Sequence, residues 1–335
     1  MDAIGANPAN TGPLPTLTVA IPTYQRLRWL REGLSRVLEQ VDALPAGSVE
    51  VIVSENAGSD GTWEHLQDEA ATHPALRIHR NARNLGAEGN FHQLPGMARG
   101  RYLWMLGDDD FVLPGALATV LKHVASDPDF VALNVRLSDE DMRVEGALHW
   151  QIDEDVRTSS LDDVMRVVPH FAMGFISAWV CRREMFNMVD RDIFNRFERW
   201  GLSLMVDRYT TIGRHSRGIV VAAPQMMARK PPVTEYRPDF DYFDWFIEGS
   251  AQLLQFLSEQ RLVSQRAISA RKAMVLREAA FKRILFERAS RIIKRPHVHD
   301  ILRRGYRDCW EYWLMCLPAL YVPGLGALVR LVKPV

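Results

Sequence analysis

The stretch Ala98-Arg-Gly-Arg-Tyr-Leu-Trp-Met-Leu-Gly-Asp-Asp-Asp110 places a short apolar run directly before three adjacent carboxylates. The run from Tyr102 to Leu106, ended by Gly107, is typical of a buried strand. Three neighbouring carboxylates repel one another and stay ionised at low cost only beside water or a cation. One interpretation is a solvated acidic turn. The position of the three aspartates at a strand end favours a second interpretation, a site where two carboxylates and phosphate oxygens bind Mg²⁺ or Mn²⁺.

Upstream of this stretch, apolar runs alternate with amphipathic segments. The apolar runs predict strands at residues 17–21, 49–53 and 76–79. The amphipathic segments predict helices at residues 62–70 and 89–99. A further helix is predicted before the second strand, with an apolar face formed by Leu30, Leu34, Val37, Leu38 and Val41. This order of elements predicts an α/β fold, a mostly parallel sheet with helices on both faces. Ligands of such sheets bind beyond the carboxyl ends of the strands.

Downstream, the pattern is less regular. It predicts strands at residues 130–135, 174–181 and 218–222, helices at 161–168 and 203–212, and a polar insertion at 138–160. After Lys230-Pro-Pro232 the chain becomes amphipathic and helical from about Tyr242 onward.

Composition places the chain among soluble globular enzymes, with 47% hydrophobic and 24% charged residues. The cysteines Cys181, Cys309 and Cys316 form no CxxC pair, so neither a disulfide scaffold nor a cysteine zinc site is expected. The first sixteen residues lack the basic start and apolar run of a signal peptide, so a cytoplasmic location is expected.

Charge is distributed unevenly, although the chain has 41 basic and 41 acidic residues. The segment from Arg261 to Arg307 carries fourteen Lys or Arg against three acidic residues, and the rest of the chain carries an equal excess of negative charge. Such a basic block indicates an anionic partner, either membrane lipid or nucleic acid.

Polar residues also follow the first two predicted strands. After the second comes Ser54-Glu-Asn-Ala-Gly-Ser-Asp-Gly-Thr62, in which Glu55 and Asn56 can hydrogen-bond a base or a ribose. After the first comes Pro22-Thr-Tyr24, where a ring and a hydroxyl could hold a nucleoside. Either segment alone is an ordinary strand-to-helix loop.

Taken in order, four segments resemble the successive motifs of family 2 glycosyltransferases, which have the GT-A fold. They are Leu17-Thr-Val-Ala-Ile-Pro-Thr-Tyr-Gln-Arg26, Val51-Ile-Val-Ser-Glu-Asn-Ala-Gly-Ser-Asp-Gly-Thr62, Arg83-Asn-Leu-Gly-Ala-Glu-Gly-Asn-Phe91 and the stretch that ends at Asp110. The resemblance implies a disordered N-terminus at 1–15, a nucleotide-sugar-binding half at 16–125, an acceptor-binding half at 126–230 and a helical region at 231–335.

The resemblance further implies inverting transfer of a sugar from a nucleoside diphosphate sugar, with Mg²⁺ or Mn²⁺ as cofactor. Asp108 and Asp110 would be the metal ligands. The donor would be bound by Pro22, Thr23, Tyr24, Arg26, Glu55, Asn56, Asn84, Gly86, Asn90, Asp108 and Asp109. Many members of the family have Asp where this chain has Glu55, so the nucleobase stays open.

The catalytic base implied by the resemblance is Asp207, eleven residues before Gly218. Its neighbour Val206 stands where the family usually has Glu, and Glu198 and His215 are competitors. Chemically, an ionised carboxylate takes the proton of the acceptor hydroxyl while a divalent ion offsets charge on the leaving diphosphate. A single displacement then inverts the anomeric centre.

Two other functions remain as alternatives: a catalytically lapsed relative that acts as a binding or scaffolding subunit, and a nucleotidyltransferase. A dinucleotide fingerprint and a Walker motif are both missing from the sequence. The segment His297-Val-His-Asp300 resembles a metal cluster but reads better as a polar helix start.

The C-terminal segment from Tyr312 to Val329 contains no charged residue, and prolines and glycines interrupt it. Its aromatic content favours an anchor that lies in the membrane interface beside the basic helices, rather than a spanning helix or a nucleic-acid partner. The side chains expected to insert are Trp310, Trp313, Leu314, Leu317 and Leu320. The alternative is that the tail packs on the catalytic domain or on another subunit of a homo-oligomer. With an anchor, a lipid-linked saccharide of a bacterial surface polysaccharide becomes the expected acceptor.

Overall fold

The computed structural model describes residues 14–186, 190–215, 217–229 and 241–325. Residues 1–13 of the predicted disordered N-terminus lie outside this part, as do the Lys230-Pro-Pro232 break and the last ten residues of the tail. The chain divides into two compact units. The first comprises Met1–Ser160, Val167–Met188 and His215–Pro232, and the second comprises Leu161–Arg166, Val189–Arg214 and Val233–Val335.

The first unit contains a mixed sheet of nine strands with its associated helices, which confirms the predicted α/β class. Its strands are β1 (Leu17–Thr23), β2 (Val49–Glu55), β3 (Leu76–Arg80), β4 (Tyr102–Met105), β5 (Asp110–Val112), β6 (Phe130–Leu137), β7 (Val156–Thr158), β8 (Trp179–Arg182) and β9 (Gly218–Ala228). Its helices are α1 (Leu27–Asp42), α2 (Thr62–Thr72), α3 (Gly86–Met97) and α4 (Ala116–Val124).

The sheet has the order β3-β2-β1-β4-β8-β6-β9-β5, and β7 also pairs with β9. The strands from β3 to β4 are parallel, as is the pair β6 and β9, whereas β8, β5 and β7 pair antiparallel. Every residue of β1, β2 and β4 is buried, because inner strands of such a sheet are covered on both faces. Helix α1 buries the predicted face through Leu30, Leu34, Val37 and Leu38.

One predicted strand is largely wrong. Residues 174–181 were expected to be extended, but short 3₁₀ turns occupy Phe171–Gly174 and Ile176–Ala178, and the strand begins only at Trp179. The apolar run has the composition of a strand, yet Ser177 lies within it, fully buried and bonded outside the sheet ladder. Elements that were not predicted include β5, which begins at Asp110 itself, β7 within the polar insertion, and helix α6 described below.

The second unit is helical, as predicted for the C-terminal region. Its helices are α5 (Leu161–Val167, of which the first six residues belong here), α6 (Arg191–Glu198), α7 (Ser203–Arg214), α8 (Gly249–Glu259), α9 (Gln265–Met274), α10 (Lys282–Ala289), α11 (Arg295–Tyr306) and α12 (Leu317–Tyr321). Segments of π-helix at Phe243–Glu248, Val275–Phe281 and Tyr312–Cys316 connect several of them.

Candidate active site

The carboxyl ends of β1, β2 and β4 lie side by side at one edge of the sheet of the first unit. In the pairing of β1 with β2, Thr23 is opposite Glu55. The Thr23 hydroxyl donates a 2.7 Å hydrogen bond to Asp108 Oδ2. The motif after the first strand and the motif after the fourth therefore meet, as expected for parallel strands that end at the same edge.

Asp108 is buried, and both of its carboxylate oxygens have partners. Oδ2 accepts from Thr23, and Oδ1 lies 3.3 Å from a guanidinium nitrogen of Arg26. Burial raises the pKa of Asp108 to about 6, although the positive charge of Arg26 acts in the opposite direction. The carboxylate is therefore less easily ionised than an exposed aspartate.

Asp109 points to two arginines rather than into open solvent. Its Oδ2 lies 2.8 Å from Arg26 Nη1, 3.1 Å from Arg229 Nε and 2.8 Å from Arg229 Nη2. The Arg229 side chain is only 1% exposed, and its guanidinium also lies 4.9 Å from the centre of the Trp29 ring. This buried, charge-assisted contact fixes Asp109 in place.

Asp110 is held by donors from two distant parts of the chain. The Ser177 hydroxyl donates to its Oδ2 at 2.6 Å, and the backbone N–H of Arg229 is a further donor. Burial raises the pKa of Asp110 well above its usual range, and the nearby charge of Asp109 acts in the same direction. Gly107 is required beside it, since a Cβ at that position would lie 2.8 Å from Asp110 Oδ2.

The buried carboxylates of Asp108 and Asp110 fit a divalent cation. They offer oxygen ligands, which Mg²⁺ and Mn²⁺ prefer, and a bound cation would offset the cost of ionising them away from water. They would not bind the ion alone. Within the described ranges, the one cluster of three or more His, Cys, Asp or Glu ligand atoms lies elsewhere, at Asp241, Asp244 and His297. Phosphate oxygens of a bound nucleotide would supply the further ligands of an ion held by Asp108 and Asp110.

That second cluster belongs to the second unit, and ordinary contacts account for it. His297 Nε2 lies 2.9 Å from Asp244 Oδ1, and Asp241 accepts a 2.9 Å hydrogen bond from the backbone N–H of Phe243. His299 instead lies 2.8 Å from the Tyr321 hydroxyl. The predicted polar helix start is therefore correct, because α11 begins at Arg295.

Several residues predicted to contact the nucleoside make hydrogen bonds within the protein. Glu55 is fully buried between the backbone N–H of Gly58 and Arg80, whose Nε lies 3.0 Å from it. The Asn56 amide donates to Asn84 and to the carbonyl of Gly86.

Asn90 belongs to the same network. Its Oδ1 accepts from Ser54, Asn81 and Gln93, and its amide donates to the Ser54 carbonyl. This network ties the loop after β2 to the start of α3.

The other residues predicted to bind the nucleotide sugar differ in exposure. Tyr24 and Asn84 are exposed, Pro22 is buried, and Gly86 has a φ of 75°, a conformation that favours glycine. An aromatic ring and an amide are thus exposed in the loops that follow β1 and β3.

The predicted base lies in the second unit. Asp207 is a partly exposed residue of α7, and its competitor Glu198 is the exposed last residue of α6. The other competitor, His215, is partly exposed in the first unit.

Two residues of the site were missed by sequence reasoning. Ser177 could have been suspected as the single hydroxyl residue inside the apolar run 174–181. Arg229 carries no local signal: it follows β9 directly and contacts an aspartate 120 residues earlier in the chain.

The C-terminal helix, defined here as Trp310 to Tyr321 with the π-helical segment Tyr312–Cys316 and α12, exposes several large apolar side chains. Tyr312, Cys316 and Leu320 are buried in the second unit, which corrects the expectation that Leu320 inserts into lipid. Trp310, Trp313, Leu314 and Tyr321 are exposed. In the part of the chain that the structure describes, none of the helices has the length and apolar character needed to cross a membrane.

Known proteins resemble this chain over its first part. The family model described as glycosyl transferase family 2 matches residues 18–188. An abequosyltransferase from Salmonella typhimurium is 26% identical over 186 residues, which are 52% of this chain and 55% of the relative. A GalNAc(5)-diNAcBac-PP-undecaprenol β-1,3-glucosyltransferase from Campylobacter jejuni is 28% identical over 110 residues, 32% of this chain and 34% of the relative. The chain thus matches about half, or less, of the length of these curated relatives.

Among solved structures, residues 1–349 of TarS from S. aureus in complex with UDP-GlcNAc superpose with a TM-score of 0.61 at 14% identity. The match covers 95% of this chain and 87% of that chain. The predicted GT-A fold is confirmed by this similarity.

Proposed function

The chain belongs to glycosyltransferase family 2, and on this premise we propose that it transfers a sugar from a nucleoside diphosphate sugar to an acceptor hydroxyl with inversion. The observation that carries the proposal is the contact of Thr23 with Asp108 at the carboxyl edge of the sheet, with Asp110 buried two residues further along the chain. Buried carboxylates at this edge have the chemistry that a diphosphate and its counter-ion need.

The balance of charge supports metal dependence. Asp108, Asp109 and Asp110 face only two cations, Arg26 and Arg229, in the contacts described, so the group carries one negative charge when all are ionised. Such a group repels a diphosphate. A bound Mg²⁺ or Mn²⁺ supplies the positive charge that reverses this and stabilises the leaving diphosphate. Asp108 and Asp110 would hold the ion, while Arg229 keeps Asp109 out of the ligand set.

For the base, we propose Asp207. A carboxylate that removes the proton of the acceptor hydroxyl makes that oxygen a better nucleophile as the bond to the diphosphate breaks. A partly exposed position on α7 suits a group that must meet an acceptor from solvent.

The acceptor is proposed to be a saccharide, and specifically a lipid-linked one, recognised by residues 126–230. The name of the Campylobacter relative includes a polyprenyl diphosphate-linked glycan. The exposed apolar side chains of the C-terminal helix also suit an enzyme that works beside a membrane.

We further propose peripheral binding to the inner face of the plasma membrane. Trp310, Trp313 and Leu314 are exposed, and Arg303 and Arg307 precede them in the chain. Aromatic and aliphatic side chains next to arginines are typical of segments that lie in the interface of anionic membranes. The alternative partner for this surface is a second copy of the chain.

A screen of nucleoside diphosphates tests the proposed function. A ligand that binds only the folded protein raises its stability by mass action, so the correct diphosphate should raise Tm in the presence of Mn²⁺ and much less in EDTA. Binding without any turnover of nucleoside diphosphate sugars would favour a catalytically lapsed relative. Pyrophosphate release from a nucleoside triphosphate would favour a nucleotidyltransferase.

A further inference from the structure

The two arginines that contact the acidic group differ in their freedom to move. Arg229 is 1% exposed and holds Asp109 through two nitrogens. Arg26 is 41% exposed and reaches in from the loop between β1 and α1. Its neighbour Gln25 has a φ of 52°, the left-handed region that non-glycine residues rarely adopt.

The contacts of Arg26 are also unequal. Its Nη1 lies 2.8 Å from Asp109 Oδ2 but 3.3 Å from Asp108 Oδ1. Among the described residues, Thr23 donates a short hydrogen bond to Oδ2 of Asp108, whereas the contact of Oδ1 is the longer one with Arg26. Any cation that approaches Asp108 through Oδ1 meets the Arg26 guanidinium there.

We infer that Arg26 competes with the divalent cation for Asp108 and moves to the donor diphosphate when the cation binds. Like charges at this range repel strongly, so Arg26 and a divalent ion cannot both stay close to Oδ1. The guanidinium of Arg26 is exposed on a short loop and can move away from Asp108. Its planar N–H donors suit the oxygens of a diphosphate. Arg229, which is buried, stays on Asp109. The inference rests on the proposed function, since it concerns the same metal and donor site.

The inference predicts effects of opposite sign on two ligands. Without Arg26, the cation should bind the empty site more tightly because a competing positive charge is gone. The diphosphate should bind the metal-loaded site more weakly because a positive charge that receives it is gone. A residue that only stabilises the loop would weaken both.

The experiment measures Mn²⁺ affinity by the electron paramagnetic resonance signal of free Mn²⁺, without nucleotide. We expect Arg26→Gln to bind Mn²⁺ about tenfold more tightly than the unchanged chain, the size expected for one charge about 5 Å from a divalent ion in a water-like dielectric. Arg26→Lys, which keeps the charge, should stay within about threefold. The matched control is Arg28→Gln, an exposed arginine of the same segment that pairs with Asp141 and should change nothing.

A second measurement uses inorganic pyrophosphate at saturating Mg²⁺ in a calorimeter. Arg26→Gln should weaken its binding about tenfold, since a charge-assisted contact is lost. Equal or weaker Mn²⁺ affinity in Arg26→Gln overturns the inference and leaves the proposed function intact. If neither protein binds Mn²⁺ while nucleoside diphosphates still raise Tm, metal dependence and the inference fall together, but nucleotide binding stands.

Discussion

The hydroxyl of Ser177 lies 2.6 Å from Oδ2 of Asp110, a carboxylate 67 residues earlier in the chain. The same hydroxyl accepts a 2.8 Å hydrogen bond from the backbone N–H of Gly107. Ser177 therefore fixes both the loop before the acidic run and the orientation of its last carboxylate. We regard it as a positioning residue for the proposed metal ligand.

Replacement of Ser177 by Ala should weaken Mn²⁺ binding about tenfold or more, as loss of an outer partner of a metal ligand does. It should also lower the free energy of unfolding by about 1–3 kcal/mol, because a buried donor and a buried carboxylate each lose a partner. Calorimetry and urea unfolding measure the two effects. Ser126→Ala removes an exposed hydroxyl and serves as control. A destabilised variant with unchanged Mn²⁺ affinity would assign Ser177 to stability alone.

Arg229 should contribute mainly to the free energy of unfolding. Its replacement by Met leaves Asp109 partly buried with Arg26 as its one remaining ion-pair partner among the residues that the structure describes. Removal of one member of a buried ion pair costs about 3–5 kcal/mol. Urea unfolding should report a loss of that order. The double variant with Asp109→Asn should recover part of the loss, since the unpaired charge is gone. Full additivity of the two substitutions would contradict a direct coupling.

For the base, Asp207→Asn should leave donor binding nearly unchanged and lower the rate of transfer by about a hundredfold or more. The split between binding and rate separates a proton acceptor from a residue that shapes the donor site. Near-normal transfer would exclude Asp207, and the same substitution strategy at Glu198 and His215 would then identify the base.

The membrane proposal predicts two components of binding with different dependence on salt. Attraction of about 1 kcal/mol per Lys or Arg should weaken as salt rises, while insertion of Trp310, Trp313 and Leu314 should not. The chain should bind anionic vesicles and be only partly released by high salt. The triple serine variant of these residues should be released completely. Failure of the unchanged chain to bind such vesicles at low salt would exclude this surface as a membrane-binding site.

Point variants are preferable here to deletion of the tail. Tyr306 is buried and donates a 2.7 Å hydrogen bond to the carbonyl of Ile247, and Arg288 donates to the carbonyls of Ala319 and Val322. Removal of the chain from Arg303 would therefore expose the core of the second unit.

The family and the fold could be predicted from the sequence because three of the first four strands, β1, β2 and β4, are fully buried and uninterrupted. Runs such as Leu17–Thr23 and Val49–Glu55 combine apolar residues with polar loops at their ends, so both the strands and the edge of the sheet could be predicted. The match of the family model to residues 18–188 confirms the resemblance drawn from the four motifs.

The partners of the acidic residues could not be predicted in the same way. Asp110 meets Ser177 only because the chain leaves its expected strand in 3₁₀ turns, and Asp109 meets Arg229 only because β9 pairs with β5. Both contacts depend on antiparallel strand pairs of the sheet, whereas only the parallel strands had a clear sequence pattern. The resemblance also implied a donor contact for Asn90, and its hydrogen bonds to Ser54 within the protein could not be predicted from the sequence.

We propose above all the claim that Asp108 and Asp110 hold a divalent cation against a donor diphosphate. The most direct measurement is calorimetric binding of the nucleoside diphosphate that raises Tm, with Mn²⁺ and with EDTA, to the unchanged chain and to Asp110→Asn. The claim predicts binding to the unchanged chain that weakens at least tenfold in EDTA, and binding to Asp110→Asn that is equally weak under both conditions. Metal-dependent binding of the same strength in Asp110→Asn would contradict it.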